Sequence, residues 1–285
     1  MMGQGGKISR SWSLIKASWS VMRQDREILI FPLLSGLSSM LIMASFMLFL
    51  FKTGQVEMMD ETRQPSLQSY GFLFVFYLVN YFSMTFFSVA LIACASIRLT
   101  GQDPTAGDGF EYAMKRVKYI FGWAMMEATV GLLLQMLQNR SQRLGQWVIA
   151  LIGMSWTLAT YLVVPVFVME ERGPIDALKR SAELFKKTWG EQMVGSFTFG
   201  AVSTIFCIPG FALIVGAMIF LKPESAQTSL AYAFLATAVI YFVALTIVGG
   251  ALKGVFQAAL YFYARDGKTP AGFNPDDIAG SFQAK

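Results

Sequence analysis

Apolar runs longer than the roughly 18 residues of a membrane-spanning helix follow one another along this chain and leave it little choice of fold. Only 14% of its 285 residues are charged, against about 25% in a soluble domain, so it has too little polar surface to face water on all sides. The predicted class is an all-α polytopic membrane protein in a single membrane domain. Spans are expected at about 28–51, 70–97, 119–137, 146–169, 193–221 and 230–264, with a Gly/Pro/Asp-rich tail at 265–285. A porin-type barrel is excluded, because it needs alternating segments of about ten residues.

A repeat gives these spans an order. Arg10 to Trp19 reads RSWSLIKASW, and Arg180 to Trp189 reads RSAELFKKTW, with Arg, Ser, Leu, Lys and Trp at matching offsets. A fainter copy relates Ala113-Met114-Lys115-Arg116 to Ala177-Leu178-Lys179-Arg180. Three basic amphipathic helices are thus expected at 7–25, 108–118 and 174–189, each leading into a hairpin of two spans. In the first, Ile8, Trp12, Ile15, Trp19 and Met22 form one apolar stripe, with Lys7, Arg10 and Lys16 opposite. Such a helix either lies on an anionic leaflet or packs on the bundle, and the two are compatible.

The basic residues also give the orientation. Seventeen Lys and Arg fall in the N-terminus, the even-numbered loops and the tail, against five in the other loops. The positive-inside rule then puts both termini in the cytoplasm. The net charge of +5 is thereby explained as topology, and no nucleic-acid partner is expected. Lys7, Arg10, Lys16, Lys115, Arg116, Lys179, Arg180, Lys186 and Lys187 are expected at the membrane surface, facing anionic lipid head groups. MMGQGG shows no signal peptide, so the N-terminus is expected to be retained.

Catalytic chemistry has few candidates. The chain has no His, which removes the commonest general base and most zinc or haem ligation. Cys94 and Cys207 lie in apolar runs without paired spacing, so neither a disulfide nor a metal site is expected. No cofactor motif is present, and the reading is of a protein that is not an enzyme.

Two charges stand inside apolar runs. Glu127 is roughly 13 Å past Lys118, and Lys253 roughly 18 Å before Arg265, at 1.5 Å per residue. A contact between Glu127 and Lys253 is expected, serving either as an ion or substrate site or as a register pin. Asn80, Gln135 and Gln257 are placed to bond between helices. Ile208-Pro209-Gly210 predicts a kinked or broken fifth span.

The run VVPVFVMEERGPIDALKRSAELFKKTW, Val163 to Trp189, resembles a pattern in bacterial membrane families of uncharacterised function. It is also similar to the membrane domain attached to some glycerophosphodiester phosphodiesterases. The segments SWSLIKASWSVMRQDREILIFPLLSG and YFYARDGKTPAGF strengthen the likeness to one uncharacterised family. The resemblance implies a six-span protein of the bacterial inner membrane without a known active site. No hydrolase domain accompanies it here, so no hydrolase activity is implied. The functional expectation is a membrane-organising or partner-docking component, with a protein partner or a second copy possible. The alternative is a transporter or channel for a small or lipidic substrate.

Overall fold

The computed structural model describes residues 7–54, 67–140, 143–189, 198–221, 228–267, 270 and 273; the side chains of 7–14, 139–140, 143–146, 187–189 and 198–203 fall outside that description. Among the described residues the chain is helical, with no strand. Helix α1 (Lys7–Gln24) turns through a short 3-10 segment (Arg26–Leu29) into α2 (Ile30–Thr53). There follow α3 (Leu67–Leu99), α4 (Ala106–Lys115), α5 (Val117–Arg140), α6 (Arg143–Thr160), α7 (Val163–Glu170), α8 (Pro174–Trp189), α9 (Thr198–Phe220) and α10 (Thr228–Asp266).

Among the described residues five stretches are long and apolar enough to cross a membrane: Arg26–Thr53, Leu67–Leu99, Val117–Gln138, Trp147–Glu170 and Thr228–Asp266. The described apolar part of α9, Thr204–Phe220, is shorter. The start of the expected fifth span, 193–197, and the acidic loop around Asp60 and Glu61 lie outside the described residues.

Burial divides the bundle into two unlike halves. Val89–Ser96 of α3, Val163–Val168 of α7 apart from Val164, and most of Ala251–Ala264 of α10 are enclosed. Val21 and Met22 of α1, Ala113 of α4, Trp123 of α5 and Leu184 of α8 close the same core. Beyond it the helices carry large apolar side chains on the outside, as at Leu41 of α2, Leu133 of α5, Ile208 of α9 and Ile240 of α10. That pattern is foreign to a water-facing protein and suits helices bathed in lipid.

Close helix approach in the packed half depends on small residues. A side chain at Gly109 would meet the Phe31 ring, the Ala90 carbonyl and the Cys94 sulfur at 2.6–2.8 Å, and one at Gly254 would overlap Leu91. The wall at Gly109 includes backbone, which cannot swing aside. Gly249, one level up on α10, faces open space.

Two expectations need correction. The helix break falls not at Pro209 but at Tyr161–Leu162, dividing the expected fourth span into α6 and α7. Helix α9 runs through Pro209, and near the missing N–H the Tyr241 hydroxyl donates to the Phe206 carbonyl at 2.6 Å. Trp19, assigned to the apolar stripe of α1, is 42% exposed, and Ser18, Val21 and Met22 are the residues buried there. In the tail, Phe273 is buried in the core.

Gly109→Ala is expected to destabilise the protein by about 1–3 kcal/mol. Gly249→Ala should be neutral or stabilise by up to about 1 kcal/mol, since it adds helix propensity without a clash. Thermal unfolding of the two variants in detergent checks both, and equal melting temperatures would contradict the packing described.

Candidate functional site

A polar seam runs along the contact between α3 and α5. The Tyr77 hydroxyl donates to Gln135 Oε1 at 2.8 Å, and the Thr85 hydroxyl donates to Glu127 Oε2 at 3.4 Å. Between these rungs the Tyr81 hydroxyl lies 3.3 Å from where a Gly131 side chain would begin. Residues 77, 81 and 85 occupy successive turns of α3, as 135, 131 and 127 do on antiparallel α5. Four-residue spacing keeps each set on one helix face. Inside a bilayer such bonds contribute about 0.6 kcal/mol each on average, enough to fix register between helices.

The expected Glu127–Lys253 contact is absent. Glu127 meets Thr85 of α3, whereas Lys253 is exposed on α10. Helix α3 packs against both α5 and α10, and so lies between the two charges. Their depths differ as well. Gly254 touches Leu91 while Glu127 faces Thr85, which is about 9 Å along α3 at 1.5 Å per residue.

A second polar cluster lies at the packed end, around α7 and α8. The break between α6 and α7 frees backbone groups, and side chains meet them. Gln257 of α10 donates to the Tyr161 carbonyl at 3.0 Å, and Ser181 of α8 accepts the Leu162 N–H at 3.0 Å. At the other end of α7, Arg116 donates to the Phe167 and Val168 carbonyls at 2.7 and 3.2 Å and to Glu171 at 2.7 Å. A cation at a helix C-terminus opposes the negative end of its dipole. Glu171 is the left-handed cap of α7, with φ +51°. The bond to Arg116 holds this strained position in place. Pro174 opens α8 as predicted.

Glu170 gathers a further set. Its carboxylate accepts from the Tyr261 hydroxyl at 2.7 Å and from Arg180 Nε at 3.0 Å, and it pairs with Arg172 at 2.6 Å. The Arg265 guanidinium stacks over the rings of Tyr261 and Phe262. On the far side of the core, Arg98 pairs with Asp25 and Asp103. Glu27 accepts the Ala106 N–H at 2.6 Å, at the first turn of α4. Thr105 and Asp108 form a capping box there, and the Thr105 backbone and hydroxyl donors hold the Asp108 carboxyl below the usual carboxylate range.

The basic residues assigned to the membrane surface therefore divide. Lys16, Lys115, Lys179 and Lys186 are exposed. Arg116 is 6% exposed, so its placement at the surface is wrong: the carbonyls of α7 have drawn it inward. Arg180 is half-buried against Glu170. Lys7, Arg10 and Lys187 belong to helices, but their side chains lie outside the described residues. Among the described residues no cluster of three or more acidic, Cys or His side chains could hold a metal. Cys94 is buried, its thiol donating to the Thr105 carbonyl at 3.3 Å.

Sequence reasoning missed Tyr261, Asp25 and Glu27 as members of these clusters. The four-residue spacing of Tyr77, Tyr81 and Thr85 was a readable sign of the seam. Nothing in the sequence marked Tyr261 among the many aromatic residues.

Residues 67–273 match a family of unknown function, DUF6159. The chain belongs to that family. The DUF6159 match takes in α3 through α10 and Phe273, and with them both the seam and the cluster around Glu170; Asp25 and Glu27 precede it. No curated protein and no solved structure matches the chain.

Arg116→Ala in this DUF6159 member is expected to lower stability by about 1.5–3 kcal/mol, the range for hydrogen bonds made by a charged group. Lys115→Ala, whose partner Glu111 is as exposed as itself, should change it by less than about 1 kcal/mol. Denaturation in detergent measures both, and equal effects would remove the assigned role of Arg116.

Proposed function

We propose that this protein is a non-enzymatic integral membrane protein that organises or docks components at the inner leaflet of the bacterial cytoplasmic membrane. Both termini would face the cytoplasm. Three units, each a basic helix followed by a hairpin of two spans, would give six spans, with α9 as the fifth. The likeness of Val163–Trp189 to the membrane domain of glycerophosphodiester phosphodiesterases belongs to this proposal, with the sequence run as its support.

One observation supports the reading above others. Each of the three short helices exposes a large apolar side chain near exposed cations. On α1 it is Trp19, 42% exposed, with Lys16 one turn away; on α4 it is Met114, 59% exposed, beside Lys115; on α8 it is Ile175, 61% exposed, one turn from Lys179. An apolar side chain to enter the acyl boundary and a cation to meet the phosphate are what an anionic leaflet binds. Trp at that level is itself favoured, which gives a reason for its outward turn.

Transport is the second reading, and the α3–α5 seam supports it. Tyr77, Gln135, Thr85 and Glu127 line up polar groups along two apolar spans, where such groups often mark a pathway. Interhelical bonding accounts for the same residues with fewer assumptions.

The four exposed lysines give the test. With Lys16, Lys115, Lys179 and Lys186 all changed to Glu, native mass spectrometry of the detergent-purified protein should show several-fold less retained phosphatidylglycerol than wild type. Phosphatidylcholine should be unaffected. Equal retention of phosphatidylglycerol by wild type and variant would sink the leaflet-docking reading.

A further inference from the structure

The outer surface contains its own measure of membrane depth. Apolar side chains are exposed on α2 from Leu33 to Phe51, on α3 from Leu67 to Met84, and on α10 from Leu230 to Val243. The α2 and α3 belts are about 27–28 Å long at 1.5 Å per residue. The hydrocarbon core of a bilayer is about 30 Å thick. Both belts end on the side of the packed core. There Leu91 touches Gly254, and Phe31 and Ala90 flank Gly109.

Two exposed lysines lie on that side of the belts, and on α5 itself apolar side chains are exposed from Phe121 to Leu137, one turn beyond Lys118. Lys253 stands on α10 where the exposed belt gives way to the enclosed segment. Lys118 lies opposite Cys94 when the seam pairing of Tyr77 with Gln135 and Thr85 with Glu127 is continued along the helices. A lysine at the edge of the hydrocarbon reaches head-group phosphate with its ammonium.

Above Lys118 the surface is concave. Met125, Met126, Thr129 and Val130 of α5 and Trp156 of α6 line an open cleft of about 290 Å³. Met125 and Thr129 are seven and eleven residues from Lys118, which puts all three on one face of α5. The cleft therefore begins about 10 Å deeper in the bilayer than the lysine. Its Trp156 wall is rigid, because that ring stacks on buried Trp123 with centroids 5.9 Å apart and an interplanar angle of 4°. A preformed apolar cleft with a cation at its entrance has the polarity of a phospholipid, tail inward and phosphate outward.

We propose that the α5–α6 cleft binds one acyl chain of an anionic phospholipid whose phosphate pairs with Lys118. The proposal rests on the membrane reading above and adds a ligand class and a place. It is distinct from the leaflet contacts of α1, α4 and α8, since the chain lies along the open cleft on the outer face of α5 and α6.

Photolabelling of the full-length protein in phosphatidylcholine liposomes tests it. The probe is a trace of phosphatidylglycerol with a diazirine midway along one acyl chain, and adducts are mapped by mass spectrometry. Adducts should fall on Met125–Val130 and Trp156 several-fold more often than on Leu37 and Met40 of α2 or Val239 and Ile240 of α10. Lys118→Glu, a change at an exposed site that leaves the fold intact, should reduce cleft adducts several-fold and leave those on α2 and α10 unchanged. Thr129→Trp, which fills the cleft, should do the same. Labelling of the cleft no stronger than of α2 and α10, or unchanged by Lys118→Glu, would overturn the lipid site alone. Absence of adducts from α2 and α10 as well would overturn the membrane reading with it.

Discussion

In a medium that offers no hydrogen bonds, a helix can stop or turn only where the protein itself meets the freed backbone groups. The packed end of this bundle is arranged around one such stop. Helix α7 is eight residues long, and both of its ends are met from elsewhere in the chain. Ser181 takes an amide at its start, Gln257 bonds the carbonyl just before it, and Arg116 takes two carbonyls at its finish. These contacts join the α4–α5 turn, α8 and α10 through a segment that has no charge of its own except Glu170. Removing the arginine would leave the last carbonyls of α7 enclosed and unpaired, and the left-handed Glu171 would lose the bond that holds it.

Around that stop the molecule divides by solvent rather than by sequence. Long helices α3 and α10 each contribute one segment to an enclosed core and another to an apolar exterior. The core packs backbones closely, as Gly109 and Gly254 require, and meets its charges with partners. Among the described residues the outer α9–α10 pair is held by close approach of glycine to aromatic rings, Gly210 to Phe242 and Gly216 to Phe234, and its other faces are apolar and open to lipid. A single hydrophobic composition thus serves two purposes, and only position along the helix distinguishes them.

The sequence made the all-helical, membrane-spanning class and most helix positions readable, because length of apolar run is a one-dimensional property. Partners were harder, for reasons visible in particular residues. Depth along a helix can be counted, but the direction a side chain faces against another helix cannot. Glu127 and Lys253 looked like a pair for that reason, while α3 in fact separates them. Arg116 and Lys115 are neighbours of the same charge, yet one is enclosed among carbonyls and the other exposed to Glu111. A guanidinium can satisfy several acceptors at once in a way an ammonium on a flexible stem does poorly. The repeat aligned Arg116 with Arg180 without indicating that both turn inward. Pro209 drew the expected break to α9, because a proline is visible in sequence, whereas the Gln257 and Ser181 side chains that meet the freed backbone at Tyr161 and Leu162 are not.

Helix α10 is 39 residues long and unbroken, about 58 Å from end to end. Among the described helices α9 leans chiefly on it, so the outer part of this hairpin has few other supports. Smooth helix bending is gentle, with radii of about 60–100 Å, and α10 has no proline hinge to concentrate it. One continuous rod thus carries a lipid-facing arm at one end and, past the close contact at Gly254, the Tyr261 hydroxyl that holds Glu170 at the other.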